Sequence, residues 1–228
     1  MEKRIFFLDN LRGIAFILMV IHHIFYLYDV NNNYNTSFAK NPLVDTSGTI
    51  ARTLFILLSG VSIYMSYKAN KTKRNDIKKR AKRSFEISMH ALIISVVSFI
   101  YYPEYFIRFG VLHFLALGTF LVSFLAPYKK LSIIALLISL IVKFPSINNT
   151  IDTITGASFN YRMMDWFPLN KWLPLLICGL IVGQHEDFSK IKLLNNKSIL
   201  TFLGKNSLDL YTIHFLILII FYKQTLVK

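Results

Sequence analysis

Apolar residues run almost unbroken from Gly13 to Ile21. Charged or titratable groups bound the run on both sides: Asp9 and Arg12 before it, His22, His23 and Asp29 after it. The same layout recurs along the chain. After a first stretch at 11–28, apolar stretches cover 49–67, 86–102, 107–126, 131–146, 168–184 and 207–222. A membrane-spanning helix needs about 20 apolar residues, with a range of roughly 17–25. The pattern predicts an all-α fold, a polytopic membrane helix bundle of about seven transmembrane helices forming one domain over 1–228. The fifth stretch is short, and Pro168 and Pro174 break the start of the sixth.

The polar segments between the stretches differ in character. Val30–Thr49 is rich in Asn and predicts an outer loop that either folds over a site opening or simply connects two helices. A Lys- and Arg-rich run follows the second stretch, from Lys68 to Arg83. Such a run beside a membrane attracts anionic lipid head groups, or it holds the phosphates of an anionic ligand. Residues 145–171 predict a long outer loop with Arg162, Asp165 and the pair Trp166–Phe167, an aromatic belt in its plainest reading. Residues 198–206 are moderately apolar and predict a segment lying along the inner interface.

Charge sets the orientation. The chain is 54% hydrophobic with a net charge of +14. In a soluble protein that charge would suggest nucleic acid. Here most of the 26 Lys and Arg fall on alternate loops: Lys3, Arg4 and Arg12, the run from Lys68, Lys129 and Lys130, then Lys190, Lys192, Lys197 and Lys205. The positive-inside rule makes that side cytoplasmic, with the N-terminus inside and the C-terminus outside. No small-x-small cleavage pattern precedes Asp29, so the first stretch reads as a retained span. A multi-pass integral protein of the cell membrane is expected. The lone Cys178 excludes an intramolecular disulfide and a Cys-based metal site.

Ionisable groups inside a span are functional candidates by default. Arg12 and His23 are eleven residues apart, close to three helical turns, so they share a face about 16 Å apart along the axis. His22 points about 80° away, and Asp9 lies one turn before Arg12, within pairing reach. The plainer reading is an interfacial Arg anchor with a His bonded to a neighbouring helix. His113 in the fourth stretch and His214 in the seventh, with Tyr211 beside it, add two more intramembrane imidazoles. Ser59, Gly60 and Ser62 form a small polar notch that most simply packs helices closely. Gly179 and Gly183 read the same way, and Glu86 with His90 reads as an ion pair. Three His on three helices lack the spacing of zinc motifs, and no metal is expected.

RIFFLDNLRGIAFILMVIHH resembles the opening of the membrane-bound acyltransferase superfamily, whose members share an Arg, ten intervening residues and a His on helix 1. Arg12 and His23 match that spacing. LFILLSG resembles the second-helix motif of the same group. FGVLHFLALG, DWFPLNKWLPLLICGLIVG and LGKNSLDLYTIHFLIL resemble, in that order, the bacterial-type catalytic domain related to heparan-α-glucosaminide N-acetyltransferase. The resemblance covers nearly the whole chain. It implies transfer of an acyl group, usually acetyl, from cytoplasmic acetyl-CoA to an amine or hydroxyl of an extracytoplasmic sugar or glycan. It carries His23, His113 and His214 over as family histidines and Arg12 as the family arginine, and leaves association as a homo-oligomer open. In the animal heparan enzyme the reactive His lies in the loop after helix 1; residues 30–49 here contain no His.

The chemistry agrees with that implication. CoA is polyanionic, and Arg12, Lys82 and Arg83 are candidate phosphate contacts, with Asp9 and Ser59 beside the donor path. Its pantetheine arm spans about the three helical turns from Arg12 to His23. A neutral His23 either takes a proton from the acceptor or attacks the thioester itself. Asp29 is a candidate to orient it, and His113 or Tyr211 to donate to the developing oxyanion. Two other classes remain: a proton-coupled transporter using the intramembrane histidines, against which no repeated halves are visible, and a non-catalytic membrane scaffold.

Overall fold

A computed structural model describes residues 5–32, 35–69, 73–141, 163–188, 191 and 197–225. Lys3, Arg4, Lys143, Arg162, Lys190, Lys192 and most of the expected outer loop 145–171 lie outside them. Among the described residues the chain forms α1 (Phe6–Asn31), α2 (Pro42–Ala69), α3 (Lys73–Tyr101), α4 (Val111–Ser123), α5 (Lys129–Ile141), α6 (Leu169–His185), α7 (Ile199–Lys205) and α8 (Ser207–Thr225), with a 3-10 turn at Phe38–Lys40. The all-α expectation holds for these residues.

Among the described residues, three helical segments are long and apolar enough to cross a membrane: Phe6–Asn31, Pro42–Ala69 and Ile77–Tyr101. Ile199–Lys205 with Ser207–Gln224 makes a fourth if this pair, bent by 83°, is one span. Of the other expected spans, α4 and α6 are shorter helices, and residues 142–146 of the fifth lie outside the described residues. α4 has 13 residues because the segment before it is extended, held by Met164 N–H to Tyr105 O at 2.9 Å and Phe167 N–H to Phe109 O at 3.1 Å. At 1.5 Å per residue such a helix covers about 20 Å of a core about 30 Å thick.

Two polar segments expected as connectors are largely helical. α1 continues to Asn31, where the Asn32 amide donates to Tyr28 O at 2.8 Å and closes the last turn. α2 starts at Pro42, a residue preorganised for a first helical position, seven residues before the expected stretch, and Asp45 becomes a first-turn acid. α3 begins at Lys73 within the basic run, since Lys and Arg are good helix formers.

The chain divides into two units. One comprises Ile56–Leu92 and Glu104–Asp187, the other Lys3–Phe55, Ile93–Pro103 and Phe188–Lys228. In the first, α6 carries none of the exposed large apolar side chains that the other helices show. Gly60 of α2 and Gly179 of α6 meet backbone to backbone: a Cβ on either would overlap the other helix, at Leu176 O or Leu57 O. The expected small-residue packing is therefore formed. The Gln184 amide donates to Leu125 O, Ala126 O and Ser132 Oγ at 3.3, 3.1 and 3.0 Å, fixing the turn between α4 and α5. Arg80 donates to Ser123 O at the end of α4, where the helix dipole favours a cation.

In the second unit α7 is pressed against the first turns of α1. A Cβ on Gly204 would overlap Asp9 O, and one on Gly13 would overlap Leu200 O. Asn10, 2% exposed, accepts from Ser198 Oγ at 2.8 Å and Thr201 Oγ1 at 2.7 Å, the two side chains that cap the start of α7. The free face of α7 shows Ile199 and Phe202, flanked by Lys197 and Lys205. This is the composition of an interfacial helix.

Exposed large apolar side chains run down α3 at Phe85, Met89, Leu92, Val96 and Phe99, and down α5 at Ile133, Ile134, Leu137, Ile138 and Ile141. Soluble monomers rarely expose contiguous apolar stripes of this kind. Together with the membrane-length helices, they mark the chain as a membrane protein.

Candidate functional site

The buried side of α1 carries Phe16, Met19, His23 and Leu27, spaced three or four apart as the helical repeat requires. His23 is 8% exposed. α8 meets this side with Tyr211, His214 and Phe215. His23 Nδ1 lies 2.9 Å from His214 Nε2, and the two rings are 11° from coplanar. His214 Nδ1 lies 3.0 Å from Leu210 O on its own helix. A carbonyl only accepts, so His214 Nδ1 carries a proton, and in the neutral ring Nε2 is then an acceptor. His23 must supply the proton of the bond between them. The neutral pair is therefore ordered: Leu210 O, His214 Nδ1–H, His214 Nε2, His23 Nδ1–H, and a bare lone pair on His23 Nε2.

Aromatic rings enclose the pair. Phe16 meets His214 edge to face with centroids 5.4 Å apart, and Phe215 meets His23 at 5.1 Å. Tyr211 meets both imidazoles, at 5.6 and 5.4 Å. The groups acting electrostatically on His23 are His214, His22 and Arg52.

At the other end of the same helix, Arg12 donates to Asp9 Oδ1 at 2.8 Å, so the expected pair forms. α1 is unbroken from Phe6 to Asn31, which keeps Arg12 and His23 about three turns, or 16 Å, apart. Asp29 is 2% exposed, and its carboxylate accepts from Thr36 Oγ1 at 2.5 Å, Phe38 N–H at 3.1 Å and Ala39 N–H at 2.8 Å. It holds residues 36–39, and His23 Nδ1 is bonded to His214. His22 donates from Nδ1 to Val44 O at 3.2 Å and stacks on Tyr26.

The other site candidates belong to the first unit. His113 is the third residue of α4, and its Nδ1 accepts from Gly110 N–H at 3.2 Å, closing a cap on that helix. Asp165 accepts from Val111 N–H at 2.9 Å at the same helix start. Ser59 is half-buried next to Gly60 at the contact of α2 with α6. Arg83 is exposed and pairs with Glu86 at 3.3 Å. Lys78, Lys79 and Lys82 are exposed near Arg83 on the same helix. Among the described residues no three His, Cys, Asp or Glu gather as metal ligands.

Several residues of the second unit carried no signal in the sequence. Phe16 and Phe215 read as ordinary apolar positions, yet they wall the imidazole pair. Arg52 lies in the second apolar stretch and donates to Gly48 O at 3.1 Å. Gly48 read as loop, yet it lies on α2 where a Cβ would strike the His22 ring.

These features define a helical membrane protein with a buried histidine pair. The family model described as heparan-alpha-glucosaminide N-acetyltransferase, catalytic, matches residues 4–216, and the chain belongs to that family. No curated protein and no solved structure matches the chain.

Proposed function

We propose that the protein transfers an acyl group, acetyl in the usual case, from cytoplasmic acyl-CoA to an amine or hydroxyl of an extracytoplasmic sugar or glycan, with His23 as the catalytic base. The observation that carries the reading is the ordered imidazole pair on α1 and α8, whose neutral form leaves His23 Nε2 bare. Membership of an N-acetyltransferase family supports it.

In this proposal seven segments span the bilayer: α1 to α6 and α8, with α7 along the cytoplasmic interface, the N-terminus inside and the C-terminus outside. The 83° bend between α7 and α8 and the Lys197–Lys205 flanks support the interfacial placement. Arg12, held by Asp9, meets the phosphates of the CoA donor. The basic face of α3 with Lys82 and Arg83 attracts anions at the same side, lipid head groups or CoA. The pantetheine arm then runs toward His23, a distance of about 16 Å along α1. His23 Nε2 takes the acceptor proton as the amine or hydroxyl attacks the thioester carbon. The C–S bond breaks, and the same proton passes to the departing sulfur. The products are the acylated acceptor and CoA.

The test is transfer of labelled acetyl from acetyl-CoA to amino sugars and sugar alcohols by purified protein. Transfer by the wild type, lost in His23→Ala with normal expression and folding, is the expected result. A His23→Ala protein transferring at the wild-type rate would remove His23 from the chemistry. Proton-coupled solute flux with no acyl transfer would favour the transporter reading.

A further inference from the structure

We infer that His214 is the positioning residue for His23, selecting its tautomer and sharing the charge that His23 takes up, in the place where a carboxylate commonly stands behind a catalytic histidine. The inference rests on the reading of His23 as the base.

An imidazole used as a base needs one ring nitrogen bare and the other held. Among the described residues a second imidazole does this. The closest carboxylate along α1, Asp29, spends its oxygens on Thr36, Phe38 and Ala39. Among the described residues, the rings that meet His23 are His22 on its own helix and His214, Tyr211 and Phe215 on α8. None is anionic in its ordinary state. His214 is therefore the group that both fixes the ring and receives part of the charge.

The fixing runs through the backbone of α8. Leu210 O lies one helical turn before His214 and claims its Nδ1–H at 3.0 Å. That leaves Nε2 of His214 able only to accept, which forces the His23 proton onto Nδ1 and exposes Nε2 for the reaction. When His23 Nε2 takes the acceptor proton, the ring becomes a cation that still donates Nδ1–H to His214 Nε2, now as a charge-assisted bond. The charge spreads across two nearly coplanar rings, and the π-systems of Phe16, Tyr211 and Phe215 surround it. When the thioester C–S bond breaks, the proton leaves Nε2 for sulfur and the starting tautomer returns. No proton leaves the pair for solvent during the cycle.

Two variants separate positioning from simple support. His214→Gln keeps an acceptor oxygen near the place of Nε2 but cannot spread the charge. His214→Leu removes the acceptor. We expect kcat to fall by about a hundredfold or more in His214→Leu, the scale of losing a general base or its tautomer. In His214→Gln the fall stays within about tenfold, with KM for acyl-CoA little changed in both. Equal rates in the two variants, or a wild-type rate in His214→Leu, would overturn the assignment.

A second measurement does not depend on turnover. The chain has six His. With nitrogen-15 histidine in the purified protein, and single variants to assign the signals, His23 and His214 are both expected as the Nδ1–H tautomer at neutral pH. A His23 protonated on Nε2 would overturn the inference. Nδ1–H tautomers in a protein that transfers no acyl group from any CoA thioester would leave the pair standing and overturn the acyltransferase reading instead.

Discussion

The Nε2 of His214 lies 2.9 Å from the Nδ1 of His23, with the two imidazoles 11° from coplanar, so one helix sets the ring of another. Helical geometry explains why Asp29 does not. Six residues carry it about 120° around α1 from His23, whereas seven residues from His22 return it to nearly the same face. From there it reaches residues 36–39. Position on a helix, rather than proximity in sequence, decides which histidine a carboxylate can serve.

Asp29 is expected to act on stability before chemistry. Its carboxylate satisfies three donors, among them the backbone N–H groups of Phe38 and Ala39. Asp29→Ala leaves those donors unpaired, a cost of roughly 2 kcal/mol or more. For a chain of this size that is a fall in Tm of roughly 4–8 °C. Thermal melting in detergent checks it. An unchanged Tm with a hundredfold loss of kcat would place Asp29 in the reaction.

The seam between α1 and α7 should tolerate no added methyl. Gly204→Ala puts a carbon onto Asp9 O, a backbone atom that cannot swing aside. Gly118→Ala meets the Leu176 Cδ2 methyl at 3.0 Å, a flexible tip. Overpacking costs about 1–3 kcal/mol, and more where backbone must shift. Gly204→Ala is expected to reduce the yield of folded protein far more than Gly118→Ala, measured by size-exclusion chromatography in detergent. Equal yields would contradict the packing.

Arg12 offers the cleanest handle on the donor. It is half-buried, and Asp9 holds its guanidinium at 2.8 Å. A ligand that binds only the folded protein stabilises it by about 2.7 kcal/mol at a hundred times its Kd. Acetyl-CoA is expected to raise the Tm of the wild type and to raise that of Arg12→Ala much less at the same concentration. A shift of equal size in both would move the phosphate site elsewhere.

Much of this was legible in the chain before its structure. Apolar runs gave the helices, and the spacing of Arg12 and His23 placed both on one unbroken helix. His214 stood out as an imidazole in an apolar run. Its pairing with His23 did not, because tertiary contact between α1 and α8 joins residues 191 positions apart. Helix limits were misjudged where polar residues are helical for local reasons, as at Pro42 and in the Lys-rich start of α3. The shortness of α4 was hidden because an extended segment and a helix can be equally apolar. The role of His113 in capping α4 depends on Gly110, whose position as a helix boundary no hydrophobic pattern reveals.

The most direct test of the account places donor and acceptor on opposite sides of a membrane. The purified protein is reconstituted into vesicles, with an amino sugar sealed inside and labelled acetyl-CoA added outside. The account predicts acetylated sugar inside the vesicles, dependent on the protein and absent with His23→Ala. Acetylated sugar formed only when both substrates share one compartment, or no product from the intact wild type, would contradict transfer across the bilayer.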